Sequence, residues 1–459
     1  MKQSPSPRSF RRSVFLFVQT AATRILGIGS SALLMVLLTR SLTPADYGAY
    51  ALLSTTAIFA NLLLGLGLSL NLTRRVPGAA DAEASALVAT FIPAEMAVGG
   101  IILGAFLALR LDRALAGALD VSKYRSDLRL VLCATWIDLG AAGCLNYLMA
   151  RKRFGAGNVL SLLRGAALGP LLVLGWLFWR RIDIHVIALA WLGGAIVSLS
   201  YGLAATGLVG HWRRFDRGVL RNSLFFGLMV GAQSFTFYFL KLADRYILAR
   251  FVPLHDIGIY SFAYTLCNVI YSLTALVLVG LYHPHAVEAH NRGDLKRRDM
   301  LLAQLTRVAF AAIAVAALVM ALFSRQLIFF TPAAYLESAR VMPWVILTLI
   351  PVVAAYAPAI VLMLEGRPWV SVVAGVAAIA VAVPLNLLLV PRFSYYGSLI
   401  ASVVGFSMVA AIQHFVARSW RFIDPRNFAG LHDDLRSALR DLRGRSTEAS
   451  QATGKVPGP

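Results

Sequence analysis

The chain has 459 residues, of which 58% are hydrophobic and only 14% charged. Soluble globular chains average about 45–50% apolar and about 25% charged residues, so this balance excludes that class and describes an integral membrane protein. A formal net charge of +21 on so apolar a chain points to anionic lipid headgroups or an anionic substrate rather than to nucleic acid.

A helix needs about 20 mainly apolar residues to cross about 30 Å of hydrocarbon. Runs of that kind predict spans over residues 14–38, 48–70, 86–109, 128–150, 158–179, 184–209, 223–243, 257–281, 299–323, 341–364, 369–390 and 396–417. The expected fold is therefore all-α, a polytopic membrane protein of about 12 transmembrane helices. The longest internal loops, near 110–127 and 282–298, are too short for a soluble catalytic domain.

Residues 1–13 form a basic N-terminus. The apolar run after it carries Arg24 and has no small-residue cleavage site, so it reads as a retained first span and not as a signal peptide. With the N-terminus inside, Lys and Arg are more abundant in the inner segments, chiefly through the two tails and the clusters Arg151-Lys152-Arg153 and Arg292 to Arg298. The positive-inside rule then places both termini in the cytoplasm. Cys133, Cys144 and Cys267 all fall in apolar runs, which offers neither a disulfide framework nor a CxxC metal site. Residues 418–459 form a basic tail in which Phe428, Leu431, Leu435, Leu439 and Leu442 follow helical spacing among Arg436, Arg440 and Arg443. It reads either as a short amphipathic helix on the headgroups or as a solvated, disordered tail.

Two turns match at an offset of 210 residues: Arg40-SLTPA-Asp46-Tyr-Gly48-Ala-Tyr50 and Arg250-FVPLH-Asp256-Ile-Gly258-Ile-Tyr260, both R-x5-D-x-G-x-Y. Asp and Gly are ordinary turn formers, so similar turns are the plain alternative. Their equivalent places, after spans 1 and 7, favour a duplicated six-helix unit: lobes at residues 14–210 and 221–417, related by an axis along the membrane normal.

A charge at the bilayer centre costs at least about 2.5–3.5 kcal/mol, so each deep charge needs a partner, a wet cavity or an escape to the interface. Arg24, Glu95, Asp138 and Arg307 lie eight to ten residues inside their spans, while Arg164, Lys241, Asp244 and Arg245 lie where a long side chain can snorkel. Thr20, Thr23, Arg24, Gly27, Ser30 and Ser31 share one small, polar face of the first span. Small-residue helix packing explains the Gly and Ser but not the Arg. Arg24, Arg164, Lys241 and Arg307 are candidates for binding an anionic substrate, because guanidinium holds phosphate oxygens in a bidentate fork. Glu95, Asp138 and Asp244 are candidates for H+ or Na+ coupling. Ion pairing of Glu95 and Asp138 with Arg164 or Arg24 is the structural alternative. Lys241 and Asp244, three residues apart, predict a local salt bridge.

His283-Pro-His285 and His290 lack the Cys or carboxylate company of a metal site, and none is expected. Asn71-Leu-Thr73 matches a glycosylation sequon in a loop assigned to the inside. Pro93, Pro351, Pro358 and Pro384 fall within spans and predict kinks. No Walker A, GxSxG or HExxH sequence occurs, so ATP-driven transport by this chain alone is not expected. Without a sizeable outer loop a transporter is expected rather than an enzyme, with no cofactor beyond H+ or Na+ coupling.

The stretch Gln19-TAAT-Arg24-ILG with LLMVLLTR-SLTPADYGAYALLSTTAIFANLLLGLGL resembles the opening of the bacterial polysaccharide-biosynthesis flippases. These are the O-antigen and exopolysaccharide translocases of the multidrug/oligosaccharidyl-lipid/polysaccharide exporter superfamily. Leu240-Lys241-Leu-Ala-Asp244-Arg245-Tyr-Ile-Leu with Gly258-Ile-Tyr260 is similar to that family's seventh helix and following turn, and Asn386-LLLVPRFSYYGSLIAS to its penultimate loop, where Gly397-Ser398 replaces the expected Gly-Ala pair. The resemblance implies two six-helix lobes that flip undecaprenyl-diphosphate-linked oligosaccharide across the bacterial inner membrane by alternating access, for polysaccharide or lipopolysaccharide biosynthesis. Its implied partners are the lipid-linked glycan, membrane lipids and other polysaccharide-assembly proteins, without nucleic acid. An ion-coupled multidrug antiporter of the same superfamily, a membrane glycan polymerase or ligase, and a scaffold that transports nothing are the competing readings.

Overall fold

The structure, a computed structural model, describes residues 23–423 apart from 24–25, 28, 31–32, 167, 180, 211–214 and 328–330. Arg24, Thr20 and Ser31 of the first-span stripe, and the amphipathic reading of the tail beyond residue 423, lie outside the described residues.

In chain order the helices are α1 (residues 33–41), α2 (Pro44–Gly65), α3 (Leu70–Arg75), α4 (Asp81–Ala108), α5 (Leu111–Ala118), α6 (Arg125–Ala150), α7 (Phe154–Ala166), α8 (Leu168–Trp179) and α9 (Ile184–Thr206) in the first half. The second half holds α10 (Arg217–Leu242), α11 (Asp244–Phe251), α12 (Leu254–Asn291), α13 (Leu295–Leu327), α14 (Ser338–Ala354), α15 (Tyr356–Leu364), α16 (Trp369–Phe393) and α17 (Tyr395–Ala417). No strand occurs among the described residues. The fold is all-α and polytopic.

Among the described residues nine helices are long and apolar enough to cross a membrane, or ten if α7 and α8, bent by 44°, form one span. The first of the twelve predicted spans falls largely outside the described residues. The eighth is covered by α12, a helix of 38 residues. Two of the predicted spans, the fifth and the tenth, are each built from two helices. In the tenth, Pro358 has no N–H to donate to the Ala354 carbonyl, and the helix breaks at Ala355. The freed carbonyl is taken up by His414 of α17, whose Nε2 donates to it at 3.0 Å. The fifth joins α7 to α8 at a bend of 44°, ahead of Pro170, and the seventh is α10, with α11 following directly after Ala243.

Local chemistry fixes the helix ends. Pro44 opens α2, Thr43 Oγ1 accepts from the Asp46 N–H at 3.2 Å, and the Thr43 hydroxyl donates to the Asp46 carboxylate at 2.8 Å, as in a capping box. Asp183 caps α9 at its start through the Val186 N–H (2.9 Å), and Gly207, with φ of 68°, ends it in the left-handed region. The loop expected at 110–127 folds into α5, whose buried Asp112 accepts from Arg125 Nε and Arg129 Nε, both at 2.7 Å. These guanidinium groups hold the Asp112 carboxyl well below the usual carboxylate range.

Within the first half α6 packs on α9, α4 and α2; within the second α16 packs on α17, and α13 on α12 and α14. The halves meet where α2 crosses α12, with α10 also lying against α2, α3 and α4. At the main crossing the two repeat turns touch. A Cβ on Gly48 would collide with the Leu254 carbonyl oxygen, and one on Gly258 with that of Pro44. The equivalent glycines thus sit face to face with their backbones in contact, which explains why both turns carry Gly at that position. The correspondence extends further: one-turn 3-10 helices, Ser122–Tyr124 and Ala333–Tyr335, precede α6 and α14 at similar places in the two halves. Tyr124 donates to Asp46, and Tyr335 donates to the Leu42 carbonyl at 3.0 Å beneath the same crossing.

A methyl group at Gly258 therefore costs at least about 1–3 kcal/mol through overpacking. Gly258→Ala should lower the Tm of the detergent-solubilised protein by several degrees. Gly104→Ala, at an exposed helical glycine with nothing within 4 Å, should leave it unchanged or raise it slightly. Equal Tm values for the two variants would contradict the crossing.

Candidate functional site

Between the halves lies a cavity of about 540 Å³, walled by α1 and α2 on one side and by α10, α11 and α12 on the other. Tyr47 and Tyr50, which flank the crossing glycine Gly48, contribute to one wall; Tyr238, Tyr264 and Tyr271 contribute to the other. Lys241 and Arg245 bring positive charge to the lining, and no carboxylate lines it among the described residues.

Each cation is held by neutral groups. Lys241 Nζ donates to Asn268 Oδ1 at 2.7 Å and stands 5.3 Å from the centroid of the Tyr271 ring and 5.9 Å from that of Phe237. Arg245 is 6% exposed; its Nη1 donates to Thr55 Oγ1 at 3.0 Å, its guanidinium carbon sits 5.2 Å over the Tyr264 ring, and its Nε has no hydrogen-bond partner. Aromatic faces and hydroxyls steady a cation without cancelling its charge. The two cations line a cavity of low dielectric with no carboxylate among its described lining residues, where an anion gains far more than it would in water.

Asp244 is directed away from its neighbour in sequence. Its Oδ2 accepts from Tyr260 of α12 and from Ser398 Oγ of α17, the latter at 2.9 Å, while Oδ1 is buried without a partner. The Lys241–Asp244 salt bridge expected from helical spacing is not formed: Lys241 donates to Asn268, and Asp244 accepts from Tyr260 and Ser398. Asp244 instead ties α11 to α12 and α17.

The remaining sequence candidates are distributed outside this cavity. Arg164 of α7 makes a bidentate pair with Asp138 of α6, at 2.8 and 2.7 Å, both side chains being about a quarter exposed. Glu95 of α4 is 3% exposed beside Gly65 and Ser69, with Oε2 lacking any hydrogen-bond partner. Arg307 is half-buried on α13. Of the repeat residues, Tyr50 lines the cavity, Tyr260 serves Asp244, Asp46 receives Tyr124, and Asp256 lies 3.1 Å from His255 Nδ1. Arg40 and Arg250 are exposed. Asn71 of the sequon is 1% exposed, with its Nδ2 on the Leu68 carbonyl at 3.1 Å. Arg245 is the cavity residue that depth in the span failed to single out. Its spacing of four from Lys241 is the signal that puts both cations on one helical face.

The profile of a family described as "Polysaccharide biosynthesis protein" matches residues 11–284. No curated protein matches the chain. Among solved structures, an inward-facing multidrug resistance MATE family transporter of the MOP superfamily aligns with a TM-score of 0.69 at 12% identity, covering 91% of this chain and 99% of that one. The lipid II flippase MurJ in an inward closed conformation aligns at 0.68 and 12% identity, covering 97% and 94%. A MOP superfamily transporter from Pyrococcus furiosus, described as having a binding pocket of reverse polarity, aligns at 0.58 and 13% identity, covering 93% and 97%. The fold is the one these transporters share.

Removing one partner of the Arg164–Asp138 pair strands a charge among apolar helices, at a cost of about 1–3 kcal/mol given their partial exposure. Arg164→Leu should lower Tm, and Arg164→Leu combined with Asp138→Leu should recover most of the loss. A double variant no more stable than Arg164→Leu alone would show that the pair is not what holds α6 to α7.

Proposed function

Since the chain belongs to the polysaccharide biosynthesis protein family, we propose that it flips an undecaprenyl-diphosphate-linked oligosaccharide across the bacterial inner membrane by alternating access, for polysaccharide or lipopolysaccharide biosynthesis. Family and fold agree on the coarse class, a multi-pass transporter of the MOP superfamily rather than an enzyme. The finer reading is carried by one observation: the cavity between the halves holds Lys241 and Arg245, with tyrosines around them and no carboxylate among the described lining residues.

A diphosphate brings negative charge on oxygens that a guanidinium grips in a fork and an ammonium attracts as a point charge. Lys241 and Arg245 would neutralise it while the lipid chain stays in the bilayer. Arg24, on the first span that lines the same cavity further along at Leu34 and Met35, would add a third cation. Arg307 and, on release from Asp138, Arg164 are further candidates along the route. Lobes at 14–210 and 221–417 would rock about the cavity, parting and rejoining at the crossing of α2 and α12 so that it opens to one side and then the other. Glu95 and Asp244, each with a buried carboxylate oxygen that has no partner, are candidate sites for H+ or Na+ coupling, with Asp138 a third. Both termini would face the cytoplasm, next to the enzymes and other assembly proteins that build the glycan. A multidrug antiporter for cationic compounds would instead need carboxylates facing its substrate, and the positive field of this cavity opposes that reading.

Flipping of fluorescent undecaprenyl-diphosphate oligosaccharide in proteoliposomes tests the proposal. Lys241→Gln, Arg245→Gln and Arg24→Ala should each slow it by about tenfold or more, as expected when a hydrogen bond to a charged group is lost. Full flipping by a Lys241→Gln/Arg245→Gln variant that retains the wild-type Tm would overturn the electrostatic mechanism.

A further inference from the structure

Phe237 and Tyr238 of α10 have a cavity on each side. One is the cationic cavity between the halves; the other, of about 460 Å³, lies within the second half among α10, α14, α15, α16 and α17. The two share a wall, because Tyr271 of the first and Tyr356 of the second are hydrogen-bonded through their hydroxyls.

Their chemistry differs sharply. Among the described residues lining the second cavity none is charged, and the polar groups are amides and hydroxyls, notably Gln233, Gln413 and Ser371, set among Tyr356 and Phe406. Gln413 is 4% exposed; its Nε2 donates to Ser371 Oγ at 3.1 Å and its Oε1 has no partner. Turning the amide over would strand the NH2 group instead, so one polar end is unmatched either way. The unmatched amide end belongs to a residue that lines the cavity, and a turn of the side chain would offer it to a ligand. The absence of carboxylates among the described lining residues suits a divalent cation poorly, since hard cations take anionic oxygen. Neutral amides and hydroxyls between aromatic walls fit a neutral polyhydroxylated group: hydroxyls to meet the amides, apolar ring faces to lie on the aromatics. The volume is within the range of about 300–1,000 Å³ usual for small-molecule sites.

We propose that this second cavity is a sugar-recognition subsite, in which the ring next to the diphosphate passes Phe237 and Tyr238 and is read by Gln413 and Ser371. The inference rests on the flippase reading, since it needs a ligand that is anionic at one end and a neutral glycan at the other. It separates two tasks: Lys241 and Arg245 hold any polyprenyl diphosphate, and α16 with α17 chooses among sugars.

Binding to the detergent-solubilised full chain tests it, with undecaprenyl diphosphate as one probe and the same lipid carrying N-acetylglucosamine, galactose or rhamnose as the others. The wild type should bind at least one glycosylated probe about tenfold more tightly than the bare lipid, as two hydrogen bonds would give. Gln413→Leu and Ser371→Ala should erase that preference and leave affinity for the bare lipid within about twofold, which also shows that the variants are folded. Retention of the preference in both variants, or equal wild-type affinity for all four probes, would overturn the subsite and leave the flippase reading standing. Failure of the wild type to bind any of the four would overturn both.

Discussion

The backbone contact between Gly48 and Gly258 is the constraint on which the arrangement of the two halves depends. The glycines at the same place in the two R-x5-D-x-G-x-Y turns meet there, and each leaves space that the carbonyl of the opposite helix fills. Lipid tails are as apolar as leucine, so helices in a bilayer associate through close packing rather than through burial from water, and small residues allow the closest approach. Tyr47 stacks edge-on against Phe262 and Tyr335 next to this contact, while Tyr50, one turn further along α2, already faces the cavity. A second close approach, Gly67 of the first half against Gly227 of α10, sits at the other end of α2. The halves thus touch backbone to backbone at both ends of α2, with the cationic cavity between those contacts.

That placement gives the charges their meaning. Lys241 and Arg245 lie one turn apart where α10 meets α11, while Asp244 between them makes its hydrogen bonds with Tyr260 and Ser398. The cations on the cavity side are steadied by Asn268, Thr55 and tyrosine rings, and the acid serves as a tie among three helices. Elsewhere the deep charges are handled in different ways: Arg164 and Asp138 pair with each other, and Glu95 is buried next to Gly65 with one oxygen alone.

The spans within the described residues were legible because the bilayer sets one length and one composition for them, while the joins inside them were hidden. Pro358 was visible as a kink; the join of α10 to α11 at Ala243 was not, since no residue chemistry marks it. The two repeat turns could be read from R-x5-D-x-G-x-Y, but the contact of their glycines could not, because an offset in sequence says nothing of the axis that relates two copies. Depth in a span ranked Arg307 above Arg245, and the structure reverses their relation to the cavity, since depth ignores rotation about the helix. Gln413, Ser371 and His414 carried no signal at all. Their roles arise only when α17 is laid against α14 and α16.

Alternating access, as proposed for this chain, requires the α2–α12 crossing to open and close as substrate passes. Its most direct test is to place cysteines at Ala45 and His255, equivalent positions of the two turns, in a background lacking Cys133, Cys144 and Cys267, and to bridge them with a short bis-maleimide before measuring flipping in proteoliposomes. If transport requires the crossing to part, bridging should abolish it while the unbridged double-cysteine protein flips at the rate of the cysteine-free parent. Undiminished flipping by fully bridged protein would contradict that mechanism.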